Sequence, residues 1–468
     1  MAQSIPCPIR HQVESLARQF AQVPGLPFAD VLSAAQVQAA FDAEGIASID
    51  CIYTPLTTVR LLLAQALDPD PSLRQAVSRL LAERAAAGHG PISAATGAYS
   101  QARSRLPEGV LPRLTRYVGA ELLRQAPDAW LWKGRAVKIV DGTTVSMPDT
   151  PANQAAWPQP PHERPGLGFP LARVVVLFSL AVGTVLDAAL GPYSGKETGE
   201  TALFRSLHDG LQAGDVVLSD RYFCSYFEIA LLQQRRVDLV MRLHQRRPLD
   251  FRRGRRLGQD DHVLVWKKPK RPQWLEEATY QQLPDTLHVR QVRLRVKQEG
   301  FRTRTIVVVT TLLQPEQASR QDLTDLYRER WHSELDLRSL KETMQLSILR
   351  SNTPAMVRKE LWAHFLAYNL IRTVMAQAAQ QQKVLPRKLS FKGALQTLLA
   401  FAPHVLAARR EELPALAERI RVALVRHRVG DRPDRYEPRA RKRRYDNYQH
   451  LRIPRAEAKA RLRRGVYE

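Results

Sequence analysis

Three acidic residues stand where carboxylates could carry out chemistry. Asp141 closes one apolar run, Asp220 closes another, and Glu334 lies in a segment with helical spacing. Carboxylate oxygens are the ligands that hard divalent cations such as Mg²⁺ and Mn²⁺ prefer. The sequence has no His or Cys cluster that would offer a softer metal site. If the three acids meet in the fold, they could hold such cations.

Each acid also has an ordinary structural interpretation. Asp141 followed by Gly142 is typical of a turn, and Asp220 could be a helix N-cap or a turn residue. Glu334 could pair with Arg330, four residues earlier, on an exposed helix face. Taken singly, these interpretations are the more common ones, so the hypothesis of a shared site depends on the three acids together.

A stripe of functional side chains is predicted on the helix that carries Glu334. Tyr327, Arg330, Glu334 and Lys341 are spaced three, four and seven residues apart. At about 100° per residue they fall within a stripe roughly 60° wide. Large apolar residues border the stripe on both sides: Leu326, Trp331, Leu335 and Leu337. These borders favour a cleft wall over an exposed salt-bridge face.

The elements that must position these residues indicate a mixed α/β fold. Residues 1–130 read as helices, for example at 8–20, 55–67, 72–87 and 109–125, and β-branched runs follow. The predicted regions are a helical N-terminal domain (1–130), the first part of an α/β core (131–237), a basic β-rich insertion (238–312), the second part of the core (313–350), a helical C-terminal region (351–425) and an irregular basic tail (426–468).

The charge of the chain predicts a polyanionic partner. Its formal net charge is +24 and its pI is about 10.4, which makes nucleic acid the leading candidate. Candidate phosphate contacts in the insertion are Arg252, Arg253, Arg255 and Arg256, although charge runs are often only solvated surface.

No membrane span or disulfide framework is expected. The longest apolar run, 174–186, is shorter than the roughly 20 residues that a spanning helix needs, and Gly183 breaks it. The N-terminus lacks the apolar stretch of a secretory signal, so we expect the chain in the cytosol. The three cysteines are scattered along the sequence.

The motifs together resemble those of a known family. The segments DGTT at Asp141, SDRYF at Asp220 and Tyr-x2-Arg-x3-Glu-x6-Lys at Glu334 are similar to the IS4 family of bacterial insertion-sequence transposases, which includes Tn5 transposase. The resemblance implies an RNase H-like catalytic core that a β-rich insertion interrupts between Asp220 and Glu334. It also implies that the helical N-terminal domain (1–130) binds the DNA end. It implies that these three acids hold the metal, and that Tyr327, Arg330 and Lys341 hold the DNA end beside the scissile phosphate.

The resemblance also implies the activity and the partners. We expect cut-and-paste transposition that uses two Mg²⁺ ions, with Mn²⁺ as a substitute, on the terminal inverted repeats of the element and on target DNA. A homodimer would bring two ends together in a synaptic complex. A metal-dependent nuclease on the same fold and a non-catalytic basic nucleic-acid-binding protein stay open as alternatives. Segment 191–197 superficially resembles a phosphate loop but has one residue too few between its glycines and Glu197 in place of Ser or Thr, so we expect no use of ATP.

One position departs from the pattern of the family. Some relatives stack a flipped base on an aromatic residue near the start of the strand before the Glu helix. Ile306 occupies that place here, and Trp266 and Trp274 in the insertion are weak substitutes. Which aromatic residue stacks a base, if any does, stays open.

Overall fold

The chain begins with a block of helices. The computed structural model describes residues 7–20, 31–46, 51–86, 88–295, 305–409, 411–430 and 453–465. The N-terminal helices are α1 (Cys7–Gln19), α2 (Ala34–Asp42), α3 (Pro55–Leu67), α4 (Leu73–Ala86), α5 (Gly97–Arg105) and α6 (Val110–Arg124). All four helices that the sequence predicted here are present. The two additional helices, α2 and α5, are both short.

The central block contains every strand in the described part of the chain. Its elements are β1 (Val137–Ser146), α7 (Pro151–Ala156), β2 (Leu171–Ser179), β3 (Val185–Pro192), α8 (Glu200–Arg205), β4 (Val216–Ser219), α9 (Tyr226–Gln234), β5 (Asp238–Arg242), β6 (Arg255–Gly258), β7 (Asp261–Lys267), α10 (Glu277–Gln282), β8 (Thr286–Arg295) and β9 (Thr305–Thr310). Four strands were expected before residue 237, and all four are present.

The C-terminal block is again helical. Its helices are α11 (Arg320–Glu329), α12 (Trp331–Arg338), α13 (Pro354–Gln381), α14 (Phe391–Ala407), α15 (Leu413–Val425) and α16 (Arg455–Arg463). Helix α16 shows that the expectation of an irregular tail was wrong for this segment, because a helix with only one large aliphatic residue gives no apolar periodicity. Residues 431–452 and 466–468 of the predicted tail lie outside the described residues. No helix in the described ranges is long and apolar enough to cross a bilayer.

The nine strands form one sheet in the order β3-β2-β1-β4-β5-β9-β8-β7-β6. β1 is antiparallel to β2 and parallel to β4, and β4 is parallel to β5. Parallel neighbours need a crossover, and α8 and α9 lie on the two connections. The expected mixed α/β architecture is confirmed.

The insertion continues this sheet. β5 begins at Asp238, immediately beyond the predicted boundary at residue 237, and pairs with β4. β9 pairs with β5 on one side and with β8 on the other. The strands β9, β8, β7 and β6 therefore extend the core sheet beyond β5. The division of the chain into domains stays a prediction.

The strands that lead to the acids are buried on both faces. Ile139 and Leu218 face a core that includes α13, whereas Val140 and Val217 face a second core that includes α9. Strands covered on both faces read as nearly continuous apolar runs. This explains why Asp141 and Asp220 each follow such a run.

A buried ionic cluster anchors α12 to the C-terminal helices. The carboxylate of Asp336, only 1% exposed, accepts hydrogen bonds from Arg372, from Arg387 at 2.8 and 2.9 Å, and from the hydroxyl of Tyr368 at 3.0 Å. Two guanidinium groups and a hydroxyl offset the cost of burying one carboxylate. The cluster therefore holds α12 two residues beyond Glu334.

Candidate active site

The parallel pairing of β1 and β4 brings Asp141 and Asp220 together. Ile139 pairs with Leu218, and each acid follows its paired residue by two positions. Asp141 lies inside β1, so the alternative of an Asp-Gly turn is wrong. Asp220 is not the N-cap of α9, because Ser225 has that role. The backbone amide of Tyr222 does donate a hydrogen bond to Oδ1 of Asp220 at 2.7 Å, which forms a local turn. Oδ2 of Asp220 accepts no hydrogen bond from the described residues.

Glu334 lines the same cleft as the two aspartates. The cleft has a volume of about 660 Å³, and its walls come from β1, the end of β4, α12 and the residues after α12. Its lining residues are Asp141, Gly142, Asp220, Arg330, Glu334, Leu337, Arg338, Lys341, Glu342 and Ser347. The three acids predicted from the sequence therefore meet at one opening.

Ser333 connects α12, the helix that carries Glu334, to β1. Its hydroxyl donates to Oδ2 of Asp141 at 2.7 Å, while the amide of Gly142 donates to Oδ1 at 2.9 Å. Burial raises the pKa of Asp141, and the hydrogen bond from Ser333 and the charge of Arg330 oppose that rise. The carboxylate is thus held in a fixed orientation in a partly desolvated place.

Arg330 lies between two of the acids. Its Nη2 donates to Oε1 of Glu334 at 2.6 Å, and its Nη1 is 3.8 Å from Oδ2 of Asp141. The i, i+4 ion pair between Arg330 and Glu334, which the sequence suggested as a structural alternative, is therefore present. It does not lie on an exposed helix face, because both partners line the cleft.

The predicted regular helix is interrupted at Arg330. Helix α11 ends at Glu329, α12 begins at Trp331, and residues 339–343 form a π-helical turn. The amides of Arg330 and Ser333 bond to carbonyls only three residues back, at 3.3 and 3.0 Å, which tightens the chain locally.

The residues of the predicted stripe differ in their exposure to the cleft. Lys341 still lines the cleft. Tyr327 is only 8% exposed, and burial raises its pKa to about 12. Helical spacing predicts which residues share a face, but the burial of Tyr327 follows from the packing of α11 against β5 and β8.

The donor set fits a hard divalent cation. Asp141 and Asp220 offer carboxylate oxygens on adjacent strands, and Glu334 lines the same cleft, which is the chemistry that Mg²⁺ and Mn²⁺ prefer. Within the described ranges, no three His, Cys, Asp or Glu side chains are gathered closely enough to hold a metal ion. The pairing of Glu334 with Arg330 explains why the third acid does not converge on the other two.

Comparison with known proteins decides the family. The sequence profile of the transposase DDE domain matches residues 132–370, which is just over half of the 468 residues. This chain belongs to the DDE transposase family. The matched range includes Asp141, Asp220 and Glu334.

Two known proteins are similar over most of the chain. The transposase InsG of insertion sequence element IS4 from Escherichia coli (strain K12) is 28% identical over 401 residues, which cover 80% of this chain and 85% of that relative. This confirms the predicted IS4 family, and the chain is a DNA transposase. The structure of the piggyBac transposase synaptic complex with hairpin DNA covers 89% of this chain at 10% identity and a TM-score of 0.40, a similarity too low to support further argument.

One acid of this transposase was missed in the sequence. Glu200, the first residue of α8, has its carboxyl group directly against Gly142. Burial raises its pKa; the charge of Arg173 opposes that rise, and the charges of Asp220 and Asp141 add to it. The local sequence shows only an acid after Gly199, near the start of a predicted helix. This pattern is common and does not indicate a functional site.

The insertion arginines of the transposase lie away from the cleft. Arg252 and Arg253 are exposed and pair with Asp250, and Arg255 and Arg256 are exposed on β6, the last strand of the sheet. None of the four lines the cleft.

The two tryptophans considered for base stacking in the transposase, Trp266 and Trp274, each contact an arginine. The guanidinium of Arg247 lies 3.6 Å from the ring centre of Trp266, and that of Arg205 lies 3.6 Å from the ring centre of Trp274. Ile306 is half-buried in β9. In each tryptophan an arginine thus already occupies one face of the ring.

Proposed function

We propose that this transposase moves its element by cut-and-paste transposition, with Asp141, Asp220 and Glu334 as its catalytic acids. The observation that carries the proposal is the shared register of the two aspartates on adjacent parallel strands, above a cleft that Glu334 also lines. Three acids from two strands and a helix make an open site that a DNA strand could enter.

The fold proposed for the core is RNase H-like. Support comes from the strand order β3-β2-β1-β4-β5, in which the first three strands are antiparallel and β1, β4 and β5 are parallel. Helices α8 and α9 lie on the crossovers. In this arrangement the carboxyl ends of β1 and β4 open at the same place.

Asp141, Asp220 and Glu334 are the residues that would hold the metal, proposed as two Mg²⁺ ions with Mn²⁺ as a substitute. Bound divalent cations supply activation of water or a 3′-hydroxyl and neutralise charge on the phosphate. The chain itself orients Asp141 through Ser333 and Gly142.

Basic residues would bind the DNA. Arg330 and Lys341 line the cleft and would contact phosphates of the element end. Tyr327 is buried, and it would hold Arg330, with which it interacts. The four insertion arginines would contact the phosphate backbone away from the cleft.

The proposed partners are the inverted repeats of the element, target DNA and a second copy of the chain in a synaptic complex. The net charge of +24 supports the DNA partner. Because DNA is the substrate, the chain would act in the bacterial cytosol, beside the chromosome. No step of strand transfer calls for ATP.

A comparison of isosteric variants tests the catalytic assignment. Wild type and Glu334→Gln would be incubated with Mg²⁺ and a duplex that carries the element end, taken from the DNA flanking the gene. We expect Glu334→Gln to lose cleavage by roughly 10³-fold or more while end binding stays nearly intact. Glu329→Gln is the matched control, since Glu329 lies on the preceding helix and pairs with His332 outside the cleft.

The outcomes separate the alternatives. Cleavage without joining by the wild type would favour a nuclease, and binding without cleavage would favour a non-catalytic DNA-binding protein. Mg²⁺-dependent nicking by Glu334→Gln at the rate of wild type would remove Glu334 from the catalytic role.

A further inference from the structure

The carboxyl group of Glu200 lies against β1, the strand that carries Asp141. A Cβ atom built on Gly142 would lie 2.5 Å from Cδ and 2.6 Å from Oε1 of Glu200. The carboxyl group therefore fills the space that a side chain at position 142 would occupy, one residue beyond Asp141. A side chain at position 142 would therefore displace the carboxyl group of Glu200.

The carboxyl groups of Glu200 and Asp141 lie on opposite faces of β1. Successive residues of a strand point to opposite faces, so Gly142 faces α8, whereas Asp141 faces α12 and bonds to Ser333. β4 ends at Ser219, and β1 continues beyond it to Ser146. The charge of Asp220, which follows β4, also acts on the carboxyl group of Glu200.

The carboxylate of Glu200 lacks a bonded partner in the described part of the chain. It makes no hydrogen bond or ion pair there, although the charges of Arg173, Asp220 and Asp141 act on it. The guanidinium of Arg173 instead donates to the carbonyl of Thr198 at 2.8 Å and lies over the ring of Tyr193. A half-buried, unpaired carboxylate near two others is unfavourable, and a divalent cation would relieve the repulsion.

We propose that Glu200 is a further acid of the active site, which helps to hold a divalent cation beside Asp141 and Asp220. The inference rests on the proposed function, because it assumes that Asp141 and Asp220 bind the metal. A purely structural role is the rival, since an acid in the first turn of a helix is stabilised by the helix dipole.

The two roles predict opposite results for Glu200→Gln. The amide keeps the size of the side chain, so a metal-holding role predicts weaker metal binding with no loss of thermal stability. A structural role predicts lower stability with unchanged metal binding. Glu197→Gln is the matched control, because Glu197 is exposed on the same connection.

The experiment is a Mn²⁺ titration followed by electron paramagnetic resonance. It uses the full chain bound to a pre-cleaved end duplex that lacks the 3′-hydroxyl, so that binding is measured without reaction. We expect Glu200→Gln to weaken Mn²⁺ binding about 10- to 100-fold, Asp141→Asn to weaken it at least as much, and Glu197→Gln to leave it unchanged. A thermal melt of each variant reports folding.

Each outcome decides between the two proposals. If Asp141→Asn loses Mn²⁺ binding and Glu200→Gln keeps it, the inference about Glu200 is wrong and the proposed function stands. If wild type binds no Mn²⁺, or if neither variant changes binding, the metal mechanism itself is wrong. If Glu200→Gln melts at a lower temperature with unchanged Mn²⁺ affinity, Glu200 is structural.

Discussion

The guanidinium of Arg330 bridges Glu334 and Asp141, at 2.6 Å from the first carboxylate and 3.8 Å from the second. A protein cation thus contacts two acids that are proposed to hold metal ions. When DNA and metal bind, the phosphate would compete for Arg330 and the metal for Glu334. The ion pair is therefore expected to open as the active complex forms.

The salt dependence of DNA binding tests the role of Arg330 and Lys341. Loss of a phosphate contact should make the log-log salt slope of end binding shallower by about one unit in Arg330→Ala and in Lys341→Ala. Arg328→Ala is the control, since Arg328 is exposed and pairs with Asp325. The measurement is affinity for an end duplex across a salt series. Unchanged slopes together with wild-type cleavage would contradict the cleft role.

The pH dependence of stability tests the environment of Asp141. Burial raises the pKa of Asp141 in the folded chain above its unfolded value of about 3.9. The resulting stabilisation is fully present below the unfolded pKa and is lost as pH rises through the folded pKa. We expect Asp141→Asn to remove this loss, so that the metal-free variant gains stability relative to wild type as pH rises through that window. Denaturant unfolding in chelator, at a series of pH values, measures the difference, and parallel pH profiles would oppose it.

Removal of Asp336 should destabilise the chain strongly. Asp336→Ala leaves the buried guanidinium groups of Arg372 and Arg387 without their carboxylate, which costs about 3 to 5 kcal/mol. Asp325→Ala, at an exposed ion pair, should change the free energy of unfolding by less than about 0.5 kcal/mol. Equal unfolding midpoints for the two variants would show that the cluster does not anchor α12.

Metal substitution separates binding from chemistry. Mn²⁺ should support cleavage, whereas Ca²⁺ should support end binding without cleavage, because Ca²⁺ accepts the same oxygens in a looser geometry that misplaces the nucleophile. Cleavage and gel-shift assays on the same end duplex measure the two effects. Full cleavage in excess chelator would rule out the metal mechanism.

The local sequence was enough to single out Asp141, Asp220 and Glu334. Asp141 and Asp220 each follow an apolar run that is buried on both faces, and Glu334 shares a helical spacing with Arg330 and Lys341. Both patterns are visible without the fold. The expected order of strands and helices was recovered for the same reason, since the period of apolar residues follows from which faces a segment buries.

Glu200, Ser333 and Asp336 could not be identified in this way, because their partners lie far away along the chain. Ser333 bonds to Asp141 across 192 positions, and Glu200 reaches Gly142 only because α8 crosses between β3 and β4. The burial of Tyr327 was likewise hidden, since it depends on the packing of α11 against β5 and β8. Residue types and periodicity report what each segment buries, whereas the contacts between segments depend on packing that no local pattern contains.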